Sequence, residues 1–313
     1  MFYYYTLKTS KLREGTVARE IFEEIECKSL INPVHAPGLP FRWSINPYRG
    51  CQHACVYCFA RGSHQYLGYD PGRDFERRII IKINAVQVLR EELRRSSWRR
   101  EQVMIGTACD PYQQAEVKYR LTRGILSALA ECANPMALLT KSPTVLRDLD
   151  VLQQLASAAQ AMVAFSIPTL NLEIWRQTEP GTSNPNTRLE AVAKLSAAGI
   201  PTGVMLAPII PGLTDDPQSL ETVVRAAAGH GAGFIADNVL HLKPGTKEWF
   251  MPFLRESYPH LLPKYARYYR GAYAPEHYTE QVHTVVAELR RKWGLMPKAV
   301  PPVETRGQLR LPL

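Results

Sequence analysis

Between residues 41 and 242 the chain alternates short, almost wholly apolar runs with amphipathic stretches, and this alternation constrains the fold most. The strand-like runs are Phe41–Ile45, Val103–Thr107, Ala137–Thr140, Met162–Ile167, Pro201–Ile210 and Phe234–Leu242. Helical patterns lie between them at Ala85–Arg95, Leu121–Cys132, Val145–Ala159, Asn186–Ala198 and Pro217–Gly229. Thr122 reads as the cap of the second helix and Gly199 as the stop of the fourth. Strands that are apolar throughout belong in a parallel sheet covered by helices. Six such units predict an α/β fold built as a partial, open (β/α)6 barrel, too short to close with eight strands. Polar and special residues follow the strand ends: the loop after Ile45, Asp110, Lys141-Ser142, Pro168-Thr169 and Pro208–Asp215. That edge is where a barrel builds its site.

The flanks read differently. Residues 1–40 form an N-terminal segment with a charged helical stretch at Thr16–Cys27 and turns at Asn32-Pro33 and Pro37-Gly38. Residues 41–242 are the core. Residues 243–313 are a helical C-terminal extension with a Tyr265–Tyr269 cluster, a last helix at Thr279–Trp293 and a loose tail from residue 294. An apolar fraction of 45% supports a sizeable core and excludes wholesale disorder. No apolar run approaches the ~20 residues that span a bilayer, and Met1–Leu12 lacks the features of a secretory leader, so the expected compartment is the cytosol. No membrane partner is expected.

Three of the six cysteines cluster as Cys51-x3-Cys55-x2-Cys58, while Cys27, Cys109 and Cys132 stand apart. Six cysteines are too few for a disulfide scaffold, and in a reducing compartment a cluster reads as metal ligands. Three thiolates within eight residues grip one small metal centre. An iron–sulfur cubane normally takes four, so three would leave one iron open. A structural zinc, completed by His53 or His64, is the other reading of the spacing.

The string Asn46-Pro47-Tyr48-Arg49-Gly50-Cys51-Gln52-His53-Ala54-Cys55-Val56-Tyr57-Cys58-Phe59-Ala60-Arg61 resembles the radical S-adenosylmethionine (SAM) enzymes, in particular their spore photoproduct lyase-like branch, often labelled DNA-repair photolyase-related. The likeness continues through Gly106–Gln113 with Glu116, Thr140-Lys141-Ser142, Ser166–Thr169, Glu179–Thr182 and Ala207–Asp215. It spans Phe41–Leu242, and the tail is not diagnostic. It implies a [4Fe–4S] cluster on Cys51, Cys55 and Cys58, whose open iron chelates the amino and carboxylate groups of SAM. Reductive cleavage then yields a 5′-deoxyadenosyl radical that abstracts a substrate hydrogen. It also implies an external one-electron donor such as a flavodoxin or ferredoxin.

By strand position, the resemblance puts Tyr57 beside the adenine, or simply packed beneath the loop. Lys141 faces the SAM carboxylate, or is a solvated loop lysine. Ser166 bonds the methionine or ribose, or only ends its strand. Ile210-x-Gly212-x-x-Asp215 resembles the adenine-contacting pattern, with capping of the helix near Pro217 as the other role for Asp215. Asp110 and Glu116 compete for the SAM amino group, since the familiar Gly-Gly-Glu triplet is absent. Glu179 and Arg188 are expected to form an ion pair that shapes the ribose or substrate side; as an exposed pair it would contribute little stability, ~0–1 kcal/mol. Cys109 is the candidate catalytic residue, lining the substrate cavity, or else a small, partly buried residue with no chemistry. In the lyases the hydrogen-donating cysteine stands three places before the aspartate, here Thr107, so that role is not transferred.

Lys plus Arg number 38 against 29 acidic residues, a net charge of +9 that suits an anionic partner such as DNA. Arg73–Arg100 carries nine basic and four acidic residues around Trp98, read as a phosphate-neutralising face or as a solvated helix surface. Tyr265, Tyr268, Tyr269 and Tyr273 are candidates for base stacking or for packing. The substrate class stays open between a DNA lesion, a protein or peptide, and a small molecule. A metal-stabilised nucleic-acid-binding module without catalysis is the alternative function.

Overall fold

The computed structural model describes residues 20–35, 39 and 41–295. The expected turn at Pro37-Gly38, the tail beyond residue 295 and the start of the expected helix at Thr16–Cys27 lie outside them. The strands are β1 (Ile21–Ile25), β2 (Ile31–Pro33), β3 (Trp43–Ile45), β4 (Tyr48–Arg49), β5 (Arg78–Lys82), β6 (Val103–Ile105), β7 (Met136–Thr140), β8 (Ala161–Ser166), β9 (Thr202–Ile209) and β10 (Phe234–Val239). The helices are α1 (Arg73–Arg77), α2 (Ala85–Leu93), α3 (Ala115–Tyr119), α4 (Leu121–Glu131), α5 (Leu149–Ala158), α6 (Leu172–Thr178), α7 (Pro185–Ala197), α8 (Pro217–Gly229), α9 (Lys247–Ser257), α10 (Leu262–Tyr268) and α11 (Glu276–Lys292).

The six expected apolar runs become β3 and β6 to β10, and they pair in parallel in chain order. Each new strand joins beside the last, which is how a barrel grows, whereas a doubly wound sheet doubles back. Helices α4, α5, α7 and α8 cover the sheet, and their apolar faces (Ile125, Leu129, Leu152, Leu155, Val192, Leu195, Val223, Ala227) are buried with those of the strands. The sheet stays open. β2 adds antiparallel to β3 at one edge, and at the other α11 packs against β10 and α8. Covering an edge strand in this way blocks pairing with another chain.

Several local expectations change. The stretch at Thr16–Cys27 holds a strand, β1, because Ile21 and Phe22 serve as one side of a second sheet of order β1-β5-β4. Asn32-Pro33 lies in β2, whose position at the sheet edge tolerates a proline. The segment expected as one helix from Val145 begins as a 3-10 turn, Pro143–Asp148, because Ser142 caps it by accepting from Thr144 N and Pro143 takes its first position. Thr122 is no cap: its hydroxyl donates to Pro111 O at 2.5 Å, and α4 follows Arg120 in the left-handed region at φ 50°.

The C-terminal helices form the floor under the cysteine loop. Phe250, Leu254, Leu261, Tyr265 and Tyr269 share a buried cluster with Cys55, Tyr57, Ile210 and Leu240. Among the described residues no helix is long and apolar enough to cross a membrane.

Candidate active site

Cys51, Cys55 and Cys58 lie between β4 and the 3-10 stretch Phe59–Leu67, at the edge where the parallel strands end. The loop is held from three sides. Arg61 is fully buried; its guanidinium donates to the carbonyls of Ala54, Cys55, Pro71 and Gly72 and pairs with Glu76 at 2.6 Å. Gln113 accepts from Gln52 N and donates to Gly50 O, while Gln52 Oε1 accepts from Ala115 N. On the third side Val56 N donates to Thr178 O and Gly181 N to His53 O. A Cβ on Gly181 would stand 2.3 Å from Gln52 O, so only glycine allows this approach.

All three sulfurs line one cavity of about 210 Å³ together with Tyr57, Cys109, Asp110, Lys141 and Ser166. All three are free thiols, with pKa values raised by burial. Burial, with help from the Glu179 carboxylate, pushes Cys55 up to about 12. Such thiols lose their protons when a cationic centre replaces them. Among the described residues no three His, Cys, Asp or Glu side chains are gathered around the position of a single metal ion. His64, one of the two histidines considered for a zinc site, is fully buried elsewhere, its Nε2 against Arg78 O at 3.0 Å. Three thiols spread around one cavity fit a cluster, whose irons each take their own ligand.

The polar wall is a buried network. Lys141 Nζ hydrogen-bonds Ser166 Oγ, stands 3.2 Å from Glu179 Oε1 and lies 5.6 Å from the centre of the Tyr57 ring. Tyr57 donates its hydroxyl to the same Glu179 oxygen, and Arg188 pairs with the other. Glu179 is 1% exposed and Arg188 0%, so the pair expected on the surface is buried, beneath the site. Burial raises the Glu179 pKa, but Arg188 and Lys141 outweigh it and bring the carboxyl down to about 2.

Asp110 accepts from Tyr112 N, Thr140 Oγ1 and Lys141 N. Against the effect of burial, His53 and these donors hold its pKa below the ordinary carboxylate range. His53 Nδ1 stands 3.3 Å from Asp110 Oδ2, off the hydrogen-bond line, and has no hydrogen-bond partner. Cys109 Sγ lies 3.9 Å from Asn46 Oδ1, which also accepts from Ala108 N.

Other expected residues are not brought to the cavity. Glu116 is fully buried, its oxygens taken by Tyr48 OH, the backbone of Thr122 and Arg123, and Arg147. Ile210 packs into the C-terminal cluster, and a Cβ on Gly212 would meet Leu261 at 2.7 Å. Asp215 accepts from Gly212 N and Tyr278 OH, so its carboxylate joins the loop after β9 to α11. It is Asp216, accepting from Ser219 N, that caps α8. The exposed arginines 94, 95, 99 and 100 follow α2 and precede β6, on the edge opposite the cavity. Trp98 packs on Trp43 and donates to Asn134, so this stretch presents no stacking ring at the site.

The sequence matches the radical SAM superfamily over residues 45–223, more than half of the chain. The chain belongs to the radical SAM superfamily. Radical SAM proteins work with a [4Fe–4S] cluster and SAM. An uncharacterised protein of Mycobacterium bovis is 43% identical over 291 residues, covering 92% of this chain and 86% of its own. One of Methanocaldococcus jannaschii is 28% identical over 236 residues, 75% of this chain and 83% of its own. A spore photoproduct lyase solved with a dinucleoside spore photoproduct superposes with a TM-score of 0.68 at 15% identity, covering 93% of this chain and 86% of the lyase. That likeness identifies the fold, the partial barrel expected from the strand pattern.

Proposed function

We propose that Cys51, Cys55 and Cys58 hold the cluster of this radical SAM enzyme, and that its substrate is a lesion-bearing DNA nucleotide. The observation that carries the first part is the convergence of three thiols, two buried and one half-buried, on one cavity at the strand ends. The fold shared with a lyase solved on a dinucleoside photoproduct supports the second, as does the net charge of +9. The cluster and SAM supply a 5′-deoxyadenosyl radical when reduced. The chain's own residues orient and enclose. Lys141 offers its ammonium to the SAM carboxylate, and Ser166 its hydroxyl to the methionine or ribose. Tyr57 stands by the adenine, locked through its hydroxyl to Glu179. Asp110 fixes the backbone at Lys141 and borders His53. Cys109 forms the substrate side of the wall. The cavity walls keep water from a reactive intermediate.

The reading keeps 41–242 as the core between an N-terminal segment (1–40) and a helical extension (243–313). It places the protein in the cytoplasm, which suits six free thiols, with a flavodoxin or ferredoxin as electron donor.

Anaerobically reconstituted protein given dithionite and SAM is expected to release 5′-deoxyadenosine and methionine. A colourless zinc protein that releases neither would return the function to a non-catalytic binding module. Incubation with DNA carrying spore photoproduct, followed by mass spectrometry of the digested bases, tests the substrate; undiminished photoproduct argues against a lesion.

Lys141→Ala should weaken SAM binding by about 10- to 100-fold, as expected for losing a charged hydrogen bond. Cys27→Ala, whose site lies in the main core, should leave it unchanged. Equilibrium dialysis with the reconstituted protein reads both, and equal affinity in wild type and Lys141→Ala would remove the lysine from the site.

A further inference from the structure

Four tyrosines of the C-terminal extension, Tyr265, Tyr268, Tyr269 and Tyr273, divide sharply. Tyr265 and Tyr269 stack on each other and donate their hydroxyls to Pro211 O and Leu240 O, and Tyr268 packs on Tyr278. Those three are absorbed by the fold. Tyr273 is not: it is 56% exposed. Its ring meets His241 edge to face, with 4.7 Å between centres.

His241 also lines the cysteine cavity. A second hollow, of about 370 Å³, adjoins that cavity through Val239, Leu240 and His241, and Tyr273 forms its other side. Phe59, next to Cys58, lines the cysteine cavity and is 54% exposed. Thus two of the large apolar side chains left in water stand on the walls of the two joined cavities. Exposed apolar rings gathered at a cavity, unlike single ones scattered over a surface, mark a binding face.

The charges around this face are ordered. Glu276 and Glu280 line the second hollow and repel an anion placed inside it. Lys243 is exposed, with its Nζ 6.0 Å from the centre of the Tyr273 ring. Burial and the nearby Lys243 hold the His241 pKa below its ordinary value, so the imidazole is neutral at neutral pH and offers one donor and one acceptor. A ligand with its phosphate at Lys243 and a neutral ring against Tyr273 satisfies all of these groups together.

We propose that Tyr273, His241 and Phe59 form the substrate-docking face of the cavity, and that it takes a planar, uncharged heteroaromatic ring of the nucleobase kind, with any phosphate held outside at Lys243. The inference rests on the radical-site reading of the cysteine cavity and names the part of the substrate that enters first. Stacking on an aromatic ring suits such a ligand because every base has a π-face.

The test is calorimetric titration of the full, anaerobically reconstituted chain with SAM bound. The probes are thymidylyl-(3′,5′)-thymidine and the ring-free 2-deoxyribose 5-phosphate. The dinucleotide should bind measurably and the sugar phosphate far more weakly. Tyr273→Ala should weaken the dinucleotide by at least about tenfold, equivalent to about 1.4 kcal/mol, and Phe59→Ala should weaken it as well. Tyr273→Phe keeps the ring and should bind close to wild type. No binding to the wild type, equal affinity in Tyr273→Ala, or equal affinity for the ring-free probe overturns the inference. The release of 5′-deoxyadenosine by the wild type is read separately: its absence overturns the radical reading itself, whereas its presence with Tyr273-independent binding overturns only the docking face.

Discussion

Cys51→Ala, Cys55→Ala and Cys58→Ala are each expected to lose the brown chromophore and bound iron after anaerobic reconstitution, against about four irons per chain in the wild type. Release of 5′-deoxyadenosine should fall to the level of a protein-free control. Cys132→Ala, distant from the cavity, should behave as wild type in both measurements. On the proposed ligand set the effect should be all or none, because three thiolates would be the protein's whole contribution to the centre and two should not retain it. The substitutions should leave the fold standing, since Arg61 and Gln113 hold the loop through backbone groups that alanine retains. Far-ultraviolet circular dichroism checks that. A full iron complement in any one of the three variants would sink the ligand assignment.

Glu179→Gln should destabilise the protein by about 3–5 kcal/mol at pH 7, because it strands the buried Arg188 guanidinium without its counter-charge. The loss should depend on pH in a definite direction. The Glu179 carboxyl titrates at about 2 in the folded protein against an ordinary 4.5, so its contribution is fully present above about pH 4.5. It disappears as the pH falls toward 2. The gap between wild type and Glu179→Gln, measured by urea unfolding at a series of pH values, should therefore close on the acid side. A variant as stable as wild type at pH 7, or a gap unaffected by acid, would show that the pair does not carry this energy. The sequence suggested the pair but not its depth: nine residues separate the partners, and only the folding of α6 and α7 against the cysteine loop buries them.

That contrast holds across the molecule. The six parallel strands were legible because helices cover their outer face and their inner face lines the barrel interior, which leaves them apolar along most of their length. The second sheet was not. In Arg78–Lys82 the three isoleucines are flanked by charge, and they pair with β1 and β4 through long-range contacts that no local pattern announces. The cysteines were legible because their spacing alone limits the chemistry. Arg61, three places beyond the last of them, could have been singled out as a cation inside an apolar motif, yet its task is to bind carbonyls, which any sequence supplies. Glu116 and Asp215 carried the right chemistry at plausible spacing. Their oxygens are consumed partly by partners far off in the chain, Tyr48 and Arg147 for Glu116 and Tyr278 for Asp215, and spacing does not reveal competition for a carboxylate. Asp110, in the loop that follows β6, and Lys141, directly after β7, reach the cavity because both lie past the C-terminal ends of their strands, the placement that barrel geometry does predict.

Arg61 has a consequence for how the protein acquires its cofactor. A cysteine loop tied by one guanidinium to four carbonyls has already surrendered its conformational freedom when the chain folds, so metal binding need not order it again. Loading then resembles filling a socket rather than folding around an ion. The same pinning gathers the three cysteines at one cavity, so reconstitution fills a site that folding has already laid out.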